Sequence, residues 1–374
     1  MTTHVFIVDI NTFKYHLEYM FAGTGARNYT IDFNDNENTN MHYAAENNLV
    51  SLIADIKRIK IGDFVIFYLQ QNIKEGVKEG KFFGIFKIIS SAFLDNNDDE
   101  QFLKTQLRKS LTFRIKIEPW QVYPKGISEW ESLDEIKNIS SPYQMLWSLI
   151  YRKLKGNRGN TMITIYESDR LIKLIRDKNF RNYLEHENFT FDQERQEIIE
   201  SNEQHLYSGR EININIFPRL RKKYQKEQQF ETHLQAYILE NINEIFEDYN
   251  IEFLGNEVSC GVGMQRIDIL FSALCNDGAH LIVPVELKST EVYPDIIYQI
   301  QRYVDWLEQY YIPNCPNSNI LPIIICRSCD KNSPNFLNFQ NKVQEFNDTN
   351  LNILNLQYFE FDVLIERLTF ERIF

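Results

Sequence analysis

The chain of 374 residues carries 40 Lys and Arg against 52 Asp and Glu, a formal net charge of −12. With 43% hydrophobic residues it is long enough for two or three domains with cores of their own. The charge argues against a uniformly basic coat for nucleic acid, although a local basic surface is enough for binding. Five cysteines without regular spacing indicate a reduced, cytoplasmic protein, and no apolar run reaches the ~18 residues of a membrane span.

The first half of the chain is predicted to be rich in strands. Residues 4–9 read as a strand close to Met1, so no signal peptide is expected. The apolar spacing within residues 47–59 predicts a helix. Two apolar segments, 61–69 and 80–89, are separated by a loop rich in Lys and Gly, which predicts a β-hairpin.

These two predicted strands contain GDFVIFY and GIFKI, a pattern that resembles the PUA-like barrels, in particular EVE and YTH-type readers. Predicted strands at 111–120 and 161–165 would continue the barrel. The resemblance covers about residues 4–178 and implies a reader domain over 1–180. Such a domain is expected to accept one flipped base in an aromatic cage.

Stacking on aromatic rings contributes about 1–3 kcal/mol per base, which offsets the few kcal/mol that base flipping costs. The aromatic candidates for this cage are Tyr19, Phe21, Trp120, Tyr143 and Trp147. Basic candidates for the phosphate backbone lie in one glycine-containing loop, namely Arg152, Lys153, Lys155 and Arg158. The alternative is that the aromatic side chains are core residues and that the basic loop is simply solvated.

Residues 181–225 are predicted to connect two domains, because their composition is polar and charge-mixed without a clear core pattern. A basic run ends this connector, with Arg219, Arg221, Lys222, Lys223 and Lys226. The run either follows a DNA backbone or forms a solvated linker.

In the second half, one strand is predicted to deliver Asp268 and the next to deliver Glu286 and Lys288, with a Gly278-containing turn between them. Glu286 and Lys288 share one face, since side chains alternate along a strand. Two carboxylates on adjacent strands can hold Mg²⁺, and a lysine beside them can orient an attacking water. Taken alone, Glu286 and Lys288 favour an ion pair on one face of a strand over a catalytic site.

Asp268 followed after seventeen residues by Glu286-Leu287-Lys288 resembles the signature of PD-(D/E)XK nucleases. Two further segments extend the resemblance. The predicted helix at 229–241 carries Glu231 at the family's recurrent acidic position, and Gln299-Ile-Gln-Arg-Tyr303 is similar to the Gln-x-x-x-Tyr of the helix after the lysine.

One position departs from the family pattern, because Ile267 stands where a proline usually precedes the aspartate. The resemblance runs from Gln229 to the last residue. It implies a restriction-endonuclease-like domain over 226–374, with a mixed β-sheet flanked by helices.

Together the resemblances imply a two-domain α+β and α/β protein that hydrolyses double-stranded DNA as a prokaryotic restriction endonuclease. In the family's roles, Asp268, Glu286 and the Leu287 carbonyl bind Mg²⁺, for which Mn²⁺ would substitute, and Glu231 assists directly or through water. Lys288 would position the nucleophile, and Gln299 would orient the lysine or contact the backbone. Cutting both strands normally requires two active sites, so a homodimer is expected.

Three alternatives remain open at this level. A repair endonuclease would use the same residues on mismatched or branched DNA. A nucleotide-activated defence nuclease would use the first domain to sense a small messenger, and a degenerate nuclease fold would only bind. The pair Cys326 and Cys329 lacks a second pair, so it does not predict a zinc site.

Overall fold

The structure, a computed structural model, describes residues 1–25, 31, 43–141, 144, 159–260, 265–275 and 277–374. The chain divides into two compact units. The first consists of Met1–Asp32, Asp55–Ser141 and Met145–Ile214, and the second of Phe33–Ala54, Pro142–Gln144 and Asn215–Phe374. No helix among the described residues is long and apolar enough to cross a membrane.

Strands are the main elements of both units. In chain order the described strands are β1 Thr3–Val8, β2 Phe21–Thr24, β3 Phe64–Leu69, β4 Lys81–Ile88, β5 Phe93–Leu94, β6 Phe113–Pro119, β7 Ile127–Ser128, β8 Asn160–Ile163, β9 Phe189–Asp192, β10 Glu197–Glu200, β11 Ile212–Asn213, β12 Tyr249–Ser259, β13 Arg266–Cys275, β14 His280–Glu291, β15 Ser318–Ile320, β16 Ile323–Arg327, β17 Gln357–Val363 and β18 Leu368–Arg372.

The helices are fewer and shorter. The described α-helices are α1 Phe13–Glu18, α2 Tyr43–Lys57, α3 Lys104–Leu107, α4 Glu129–Asp134, α5 Ile165–Lys178, α6 Phe217–Gln225, α7 Glu231–Glu240, α8 Ile242–Ile245, α9 Ile296–Trp306 and α10 Pro334–Thr349. Short 3₁₀ turns occur at Ile73–Glu75, Glu135–Asn138 and Ile312–Asn314, and a π-helical turn, Leu307–Tyr311, follows α9.

The first unit is built on one open, mixed sheet in the order β11-β5-β6-β4-β3-β1-β8, with β2 on β6 and β7 on β4. The predicted hairpin is confirmed, since β3 and β4 pair antiparallel from Phe64–Lys87 to Leu69–Lys81. The predicted closed barrel is wrong for the described residues, because no pairing there joins the two ends of the sheet. The end strands β11 and β8 are only two and four residues long, which leaves little backbone for closure.

The Gly-Asp turn before β3 is structural. Asp63 is buried and accepts hydrogen bonds from the backbone N–H groups of Thr2 (2.9 Å) and Lys60 (3.1 Å). Its other neighbour is the His4 ring, with Nε2 at 3.0 Å. Because burial lowers the pKa of His4, this ring is favoured in its neutral form. Asp63 therefore ties the start of β3 to the start of β1.

The predicted connector 181–225 differs from the structure. Within it, β9 and β10 form an antiparallel hairpin whose Phe189, Phe191 and Ile198 side chains are buried. The Phe191 ring lies 4.6 Å from the Phe13 ring, between centroids, so the hairpin packs on the first unit. The residues that pack here alternate with polar residues along short strands. This alternation is not visible in the composition of the segment, which is polar and charged.

A buried ion pair lies next to Tyr207 and Arg210, near the end of this region. Arg114 and Asp95 are both fully buried, with Nη1 of Arg114 3.0 Å from Oδ2 of Asp95. The guanidinium also lies over the rings of Phe21 (5.1 Å) and Tyr207 (5.7 Å). Burial raises the pKa of the Tyr207 hydroxyl to about 12, so Tyr207 stays neutral beside the pair. Arg210 adds a second cation to Asp95 at 3.3 Å.

The second unit contains a mixed sheet in the order β12-β13-β14-β16-β17-β18, with β15 on β14. β12, β13 and β14 are antiparallel, whereas β14, β16 and β17 run parallel and β18 returns antiparallel. Helices α7 and α9 both contact β14, and α9 also contacts α10. A mixed sheet flanked by helices is the architecture predicted for this half of the chain.

Removing one partner of the buried ion pair is expected to be strongly destabilising. Asp95→Ala leaves the Arg114 guanidinium buried without its carboxylate, so the free energy of unfolding in urea should fall by about 3–5 kcal/mol. The matched control is Asp98→Ala, which removes a partly exposed partner of Arg210 and should cost about 0–1 kcal/mol. Equal losses for the two variants would contradict this assignment.

Candidate functional site

Strand register brings the two predicted carboxylates together. The β13–β14 ladder runs from Leu274–His280 to Ile269–Val285. One position further in the same register, Asp268 faces Glu286, and directly opposed residues have side chains on one face about 4.5–5.5 Å apart at Cβ. Lys288 follows two positions later on that face. The antiparallel register therefore assembles the Asp268, Glu286 and Lys288 side chains at one end of the strand pair.

Asp268 is held where the ladder stops. Its Oδ2 accepts a hydrogen bond from the backbone N–H of Leu287 (2.8 Å), and its carbonyl accepts one from Nε2 of Gln235 (2.8 Å). Burial raises the pKa of Asp268 well above its usual value, and the nearby Glu286 carboxylate raises it further. The Leu287 N–H and Lys288 counteract this only in part. The site thus resists placing a second negative charge on its carboxylates.

Glu286 is nearly inaccessible, with 1% of its surface exposed, and both carboxylate oxygens have partners. Lys288 Nζ donates to Oε1 (2.6 Å), and the Tyr303 hydroxyl of α9 donates to Oε2 (2.6 Å). Burial acts to lower the pKa of Lys288, but the Glu286 and Glu231 carboxylates outweigh it and raise the pKa above its usual value. Lys288 therefore remains an ammonium ion in this arrangement.

The first turn of α7 supplies a third carboxylate. Glu231 Oε1 lies 3.8 Å from Lys288 Nζ. Burial raises the pKa of Glu231, Lys288 opposes this, and Glu286 adds to it. Gln235 stands one helical turn after Glu231, which explains why both reach the same strands. Because a helix was predicted here, the spacing of four residues between Glu231 and Gln235 could have identified Gln235 from the sequence.

Gln299 lies on α9 one turn before Tyr303 and accepts a hydrogen bond from the Tyr293 hydroxyl at 3.3 Å. Its predicted role toward Lys288 stays a prediction. Tyr303, which the sequence marked only as part of the Gln-x-x-x-Tyr pattern, makes the direct contact with Glu286. Tyr303 also lies 2.8 Å from the Arg266 carbonyl, so the helix is joined to both strands of the site.

The donor chemistry of this site fits a hard divalent cation. The carboxylates of Glu286 and Glu231 flank Lys288, and Asp268 adds a third carboxylate, whose pKa is raised by burial and by Glu286. Within the described residues no group of three His, Cys, Asp or Glu side chains has the arrangement of a ready metal site. A cation held by Asp268 and Glu286 would therefore complete its shell with backbone oxygen or water, as Mg²⁺ commonly does.

In the first unit, two predicted cage residues belong to an apolar core. Phe21 is fully buried in a cluster with Leu103, Leu107 and Leu111. The Tyr19 ring packs edge-on against the Phe102 ring at 5.3 Å. The assignment of Phe21 to a base cage is wrong, because a ring enclosed by leucines and the Arg114 guanidinium has no free face for stacking.

Trp120 is 51% exposed and lies elsewhere on the sheet, against the Phe64 ring (5.9 Å) and below the Lys87 ammonium (5.7 Å). It does not join Tyr19 and Phe21 in one cage. The remaining predicted contacts lie outside the described residues, namely Tyr143, Trp147, Arg152, Lys153, Lys155 and Arg158.

The sequence did not indicate a polar cleft of about 680 Å³ in the first unit, between the end of β1, the segment after β3 and the end of α3. Its walls are rich in amide and basic side chains, namely Asn11, Gln70, Gln71, Asn72, Gln106, Gln193, Lys14, Arg108 and Lys109. Amide side chains both donate and accept hydrogen bonds, which suits the edge of a nucleobase. The lining comes from distant parts of the chain, so no local motif marks it.

Asp9 forms the acidic part of this cleft and pairs with Lys109. Burial acts to raise the pKa of Asp9, but the Lys109 ammonium and the Thr12 N–H lower it below its usual value. Asp9 is therefore ionised at neutral pH. Two further backbone bonds, from Asn11 and Thr12 to Oδ1 (2.9 Å each), fix the loop before α1 and with it one wall of the cleft.

Comparison with known proteins supports the prediction for the first half of the chain. The EVE domain family matches residues 37–159. The predicted EVE-type, PUA-like character of this region is thereby confirmed, whereas the PD-(D/E)XK resemblance of residues 226–374 stays a prediction. No curated protein matches the chain.

Several solved structures share weak similarity with the chain. A hypothetical protein from Leishmania major has 10% identity and a TM-score of 0.28, over 48% of this chain and 96% of its own. Human THYN1 protein, in complex with 5-methylcytosine containing DNA, has 13% identity and a TM-score of 0.26, over 46% and 97%. Pyrococcus furiosus SfsA, in complex with Ca²⁺, has 13% identity and a TM-score of 0.22, over 40% and 63%. Likenesses at this level carry no argument about function.

Because the pKa of Asp268 is raised, replacing Asp268 with the neutral asparagine is expected to stabilise the protein by an amount that depends on pH. When the pKa of a carboxyl is higher in the folded than in the unfolded protein, ionising that carboxyl destabilises the fold. This destabilisation is absent below the pKa in the unfolded chain, ~3.9, and is complete above the pKa in the folded protein. Asp268→Asn keeps an acceptor for the Leu287 N–H and removes that destabilisation. In EDTA, its thermal midpoint should therefore exceed that of the unaltered protein at pH 8, with a smaller difference at pH 4.

The control for this experiment is Asp248→Asn, an exposed position between α8 and β12, which should change the midpoint little at either pH. A midpoint of Asp268→Asn that falls at pH 8 would show that the Asp268 carboxylate stabilises the fold, against the pKa direction given above.

Proposed function

We propose that the chain is a metal-dependent endodeoxyribonuclease of restriction type, in which an EVE-type domain selects the DNA and the second unit hydrolyses it. The supporting observation is the convergence of Asp268, Glu286 and Lys288 at one end of β13 and β14, with Lys288 Nζ 2.6 Å from Glu286. A structural ion pair explains Lys288 and Glu286. It does not explain a second buried carboxylate beside Glu286, whose pKa is raised by burial and by that neighbour.

The chain's own residues account for much of the proposed chemistry. Asp268 and Glu286 would hold Mg²⁺, or Mn²⁺ in its place, and the bound cation supplies a water of lowered pKa and charge stabilisation at phosphorus. Because its pKa is raised, Lys288 acts as a cation that binds a phosphate oxygen and orients the attacking water, and it does not serve as the general base. Tyr303 fixes the direction of the Glu286 carboxylate.

Glu231 would complete the negative end of the site. Glu231 Oε1 lies 3.8 Å from Lys288 Nζ, so the ammonium group is positioned between the carboxylates of Glu231 and Glu286. Gln299 is proposed to contact the DNA backbone or Lys288. A homodimer would supply one such site per strand. None of the five cysteines, all of them among the described residues, forms a disulfide, which suits the proposed cytoplasmic location.

Selection of DNA is proposed to occur at the polar cleft of the first unit. The EVE match and the amide-rich walls support a base-reading role. A volume of about 680 Å³ lies in the range of small-molecule sites and exceeds what one base needs. The basic residues Lys14 and Arg108 on the rim suit the phosphate on either side of an extruded nucleotide.

The same cleft also supports one alternative function for the chain. A free nucleotide also presents a base edge and a phosphate, so the cleft suits a nucleotide-activated nuclease as well. Calorimetry with mononucleotide and cyclic dinucleotide messengers, compared with a duplex carrying a modified base, separates the two. Binding of a free nucleotide that switches on cleavage of unmodified DNA would favour this alternative.

The primary test is cleavage of matched plasmids, one unmodified and one carrying methylated or hydroxymethylated cytosine, in Mg²⁺ and in EDTA. Metal-dependent bands from modified DNA alone are the expected result. Bands that methylation blocks would identify a conventional sequence-specific enzyme. If neither plasmid is cut in Mg²⁺ or Mn²⁺, with or without nucleotides, the nuclease proposal fails.

Substitution within the carboxylate site is expected to abolish cleavage without loss of fold. Lys288→Ala or Glu286→Gln should lower the rate of plasmid cleavage by about 10²–10³-fold or more, because each removes charge placed at the reacting phosphate. The control is Glu291→Gln, an exposed carboxylate near the end of the same strand, which should cleave normally. A Glu286→Gln protein that cuts at the wild-type rate would remove the basis of the proposal.

Substitution within the cleft is expected to change selectivity and to leave cleavage chemistry intact. The double variant Gln70→Ala, Gln106→Ala removes two exposed amides of the lining and should reduce the ratio of affinities for modified and unmodified duplexes by about tenfold. The control is Gln204→Ala, an exposed amide outside the lining. An unchanged ratio would place base recognition elsewhere in the first unit.

A further inference from the structure

A second groove lies in the C-terminal unit, between α6 and the turn that joins β17 to β18. Its volume is about 810 Å³. It is lined by Arg221, Tyr224, Gln225, Val363, Leu364, Ile365, Glu366 and Arg367. The turn is closed by a hydrogen bond from the Leu364 N–H to the Arg367 carbonyl (2.9 Å), so the apolar and basic residues of the tip are held together.

The charge of this surface is opposite to that of the whole chain. Residues 217–228 contain five basic residues and one acidic residue, whereas the chain has a net charge of −12. Arg221 lines the groove on the helix side and Arg367 on the turn side, while Glu366 is the one acidic residue of the lining. The two guanidinium groups belong to elements far apart in sequence, so a local sequence bias does not account for their convergence.

Two large apolar side chains are exposed between these cations. Leu364 is 47% exposed and Ile365 is 73% exposed. Single exposed apolar residues are common on protein surfaces, but two at a turn tip flanked by arginine are typical of surfaces that enter a groove of DNA. There the aliphatic groups contact sugars and base edges while the arginines contact phosphates.

The groove lies next to the carboxylate site along the chain and in space. Phe230 packs on Tyr224 of the groove, with ring centroids 6.0 Å apart, and on Phe361 of β17, at 6.1 Å. Phe230 is directly followed by Glu231, whose carboxylate approaches Lys288. One aromatic side chain, directly before α7, thus contacts the helix that forms one wall of the groove and the strand that leads into the other wall.

We propose that this groove binds the backbone of double-stranded DNA beside the cleavage site, with Arg221 and Arg367 on phosphates and Leu364 and Ile365 in the adjacent minor groove. The inference rests on the proposed function and assigns its non-specific DNA contact to the second unit. A second copy of the chain is a weaker occupant. Stable protein interfaces bury about 800 Å² and 20–30 residues per partner, far more than this turn tip and helix edge offer.

The test is the salt dependence of binding to a fluorescent 20-bp duplex, measured by anisotropy in EDTA so that no cleavage occurs. For the full chain, the double variant Arg221→Gln, Arg367→Gln should lower the slope of log K against log salt by about 1.8, which is ~0.9 for each phosphate that is no longer neutralised. The Kd at low salt should rise about tenfold or more.

The charge-matched control is the double variant Arg181→Gln, Arg195→Gln, which removes two exposed arginines from the first unit and should leave the slope unchanged. A second variant, Ile365→Asp, tests the turn tip and should also weaken binding, since it places a carboxylate against the DNA. Because Ile365 is mostly exposed, its substitution leaves the core intact. Equal slopes for the groove variant and the unaltered protein would overturn the proposal.

Two further outcomes separate this inference from the nuclease proposal. If the chain binds DNA through the groove but never cleaves it with Mg²⁺ or Mn²⁺, the groove stands and the nuclease fails. If Ile365→Asp instead converts a dimer to a monomer in sedimentation velocity, with unchanged DNA affinity per chain, the groove is an interface between copies and the proposal is wrong.

Discussion

The burial of two neighbouring carboxylates is the constraint on which the site of the second unit depends. Asp268 and Glu286 are the next residues of β13 and β14 beyond the last pair of their antiparallel ladder, and burial strengthens their repulsion because little water screens it. Lys288 and the Tyr303 hydroxyl satisfy Glu286, while the Leu287 N–H satisfies one oxygen of Asp268. These contacts leave Asp268 with a raised pKa. The negative charge of the site is therefore not fully compensated. A divalent cation or a metal-bound phosphate would compensate it.

The first unit solves a different problem, since it buries charge with full compensation. The Arg114–Asp95 pair is enclosed by Phe21 and Tyr207 and lies in the interior, where rings and guanidinium pack against each other. Two of the predicted cage residues, Phe21 and Tyr19, are therefore used for packing. Under the proposed function, recognition falls to the polar cleft, where amides and the Asp9–Lys109 pair offer directional hydrogen bonds. Edge reading through amides gives selectivity that stacking alone does not provide.

An acidic protein that acts on DNA must confine its positive charge to the places where phosphate lies. Under the proposed function, Lys288 and the pair Arg221 and Arg367 would be such places in the second unit. The excess of acidic residues elsewhere disfavours unspecific adsorption to nucleic acid, because only a correctly placed duplex meets the cations. Under the proposed function, the metal would further reverse the local charge at Asp268 and Glu286.

Local patterns are readable from the amino-acid sequence alone: the β3–β4 hairpin, the strand alternation that puts Glu286 and Lys288 on one face, and the EVE-type character of residues 37–159. These follow from short-range periodicity and turn residues, which act within a few positions of the chain. The position of Asp268 beside Glu286, their support by Tyr303 and Gln235, and the place of Phe21 in the core all depend on the folded chain. So do the burial of Phe189 and Phe191 in the first unit and the groove that Arg221 and Arg367 both line. Contacts between residues far apart in sequence depend on register and packing, which a pattern read along one chain does not contain.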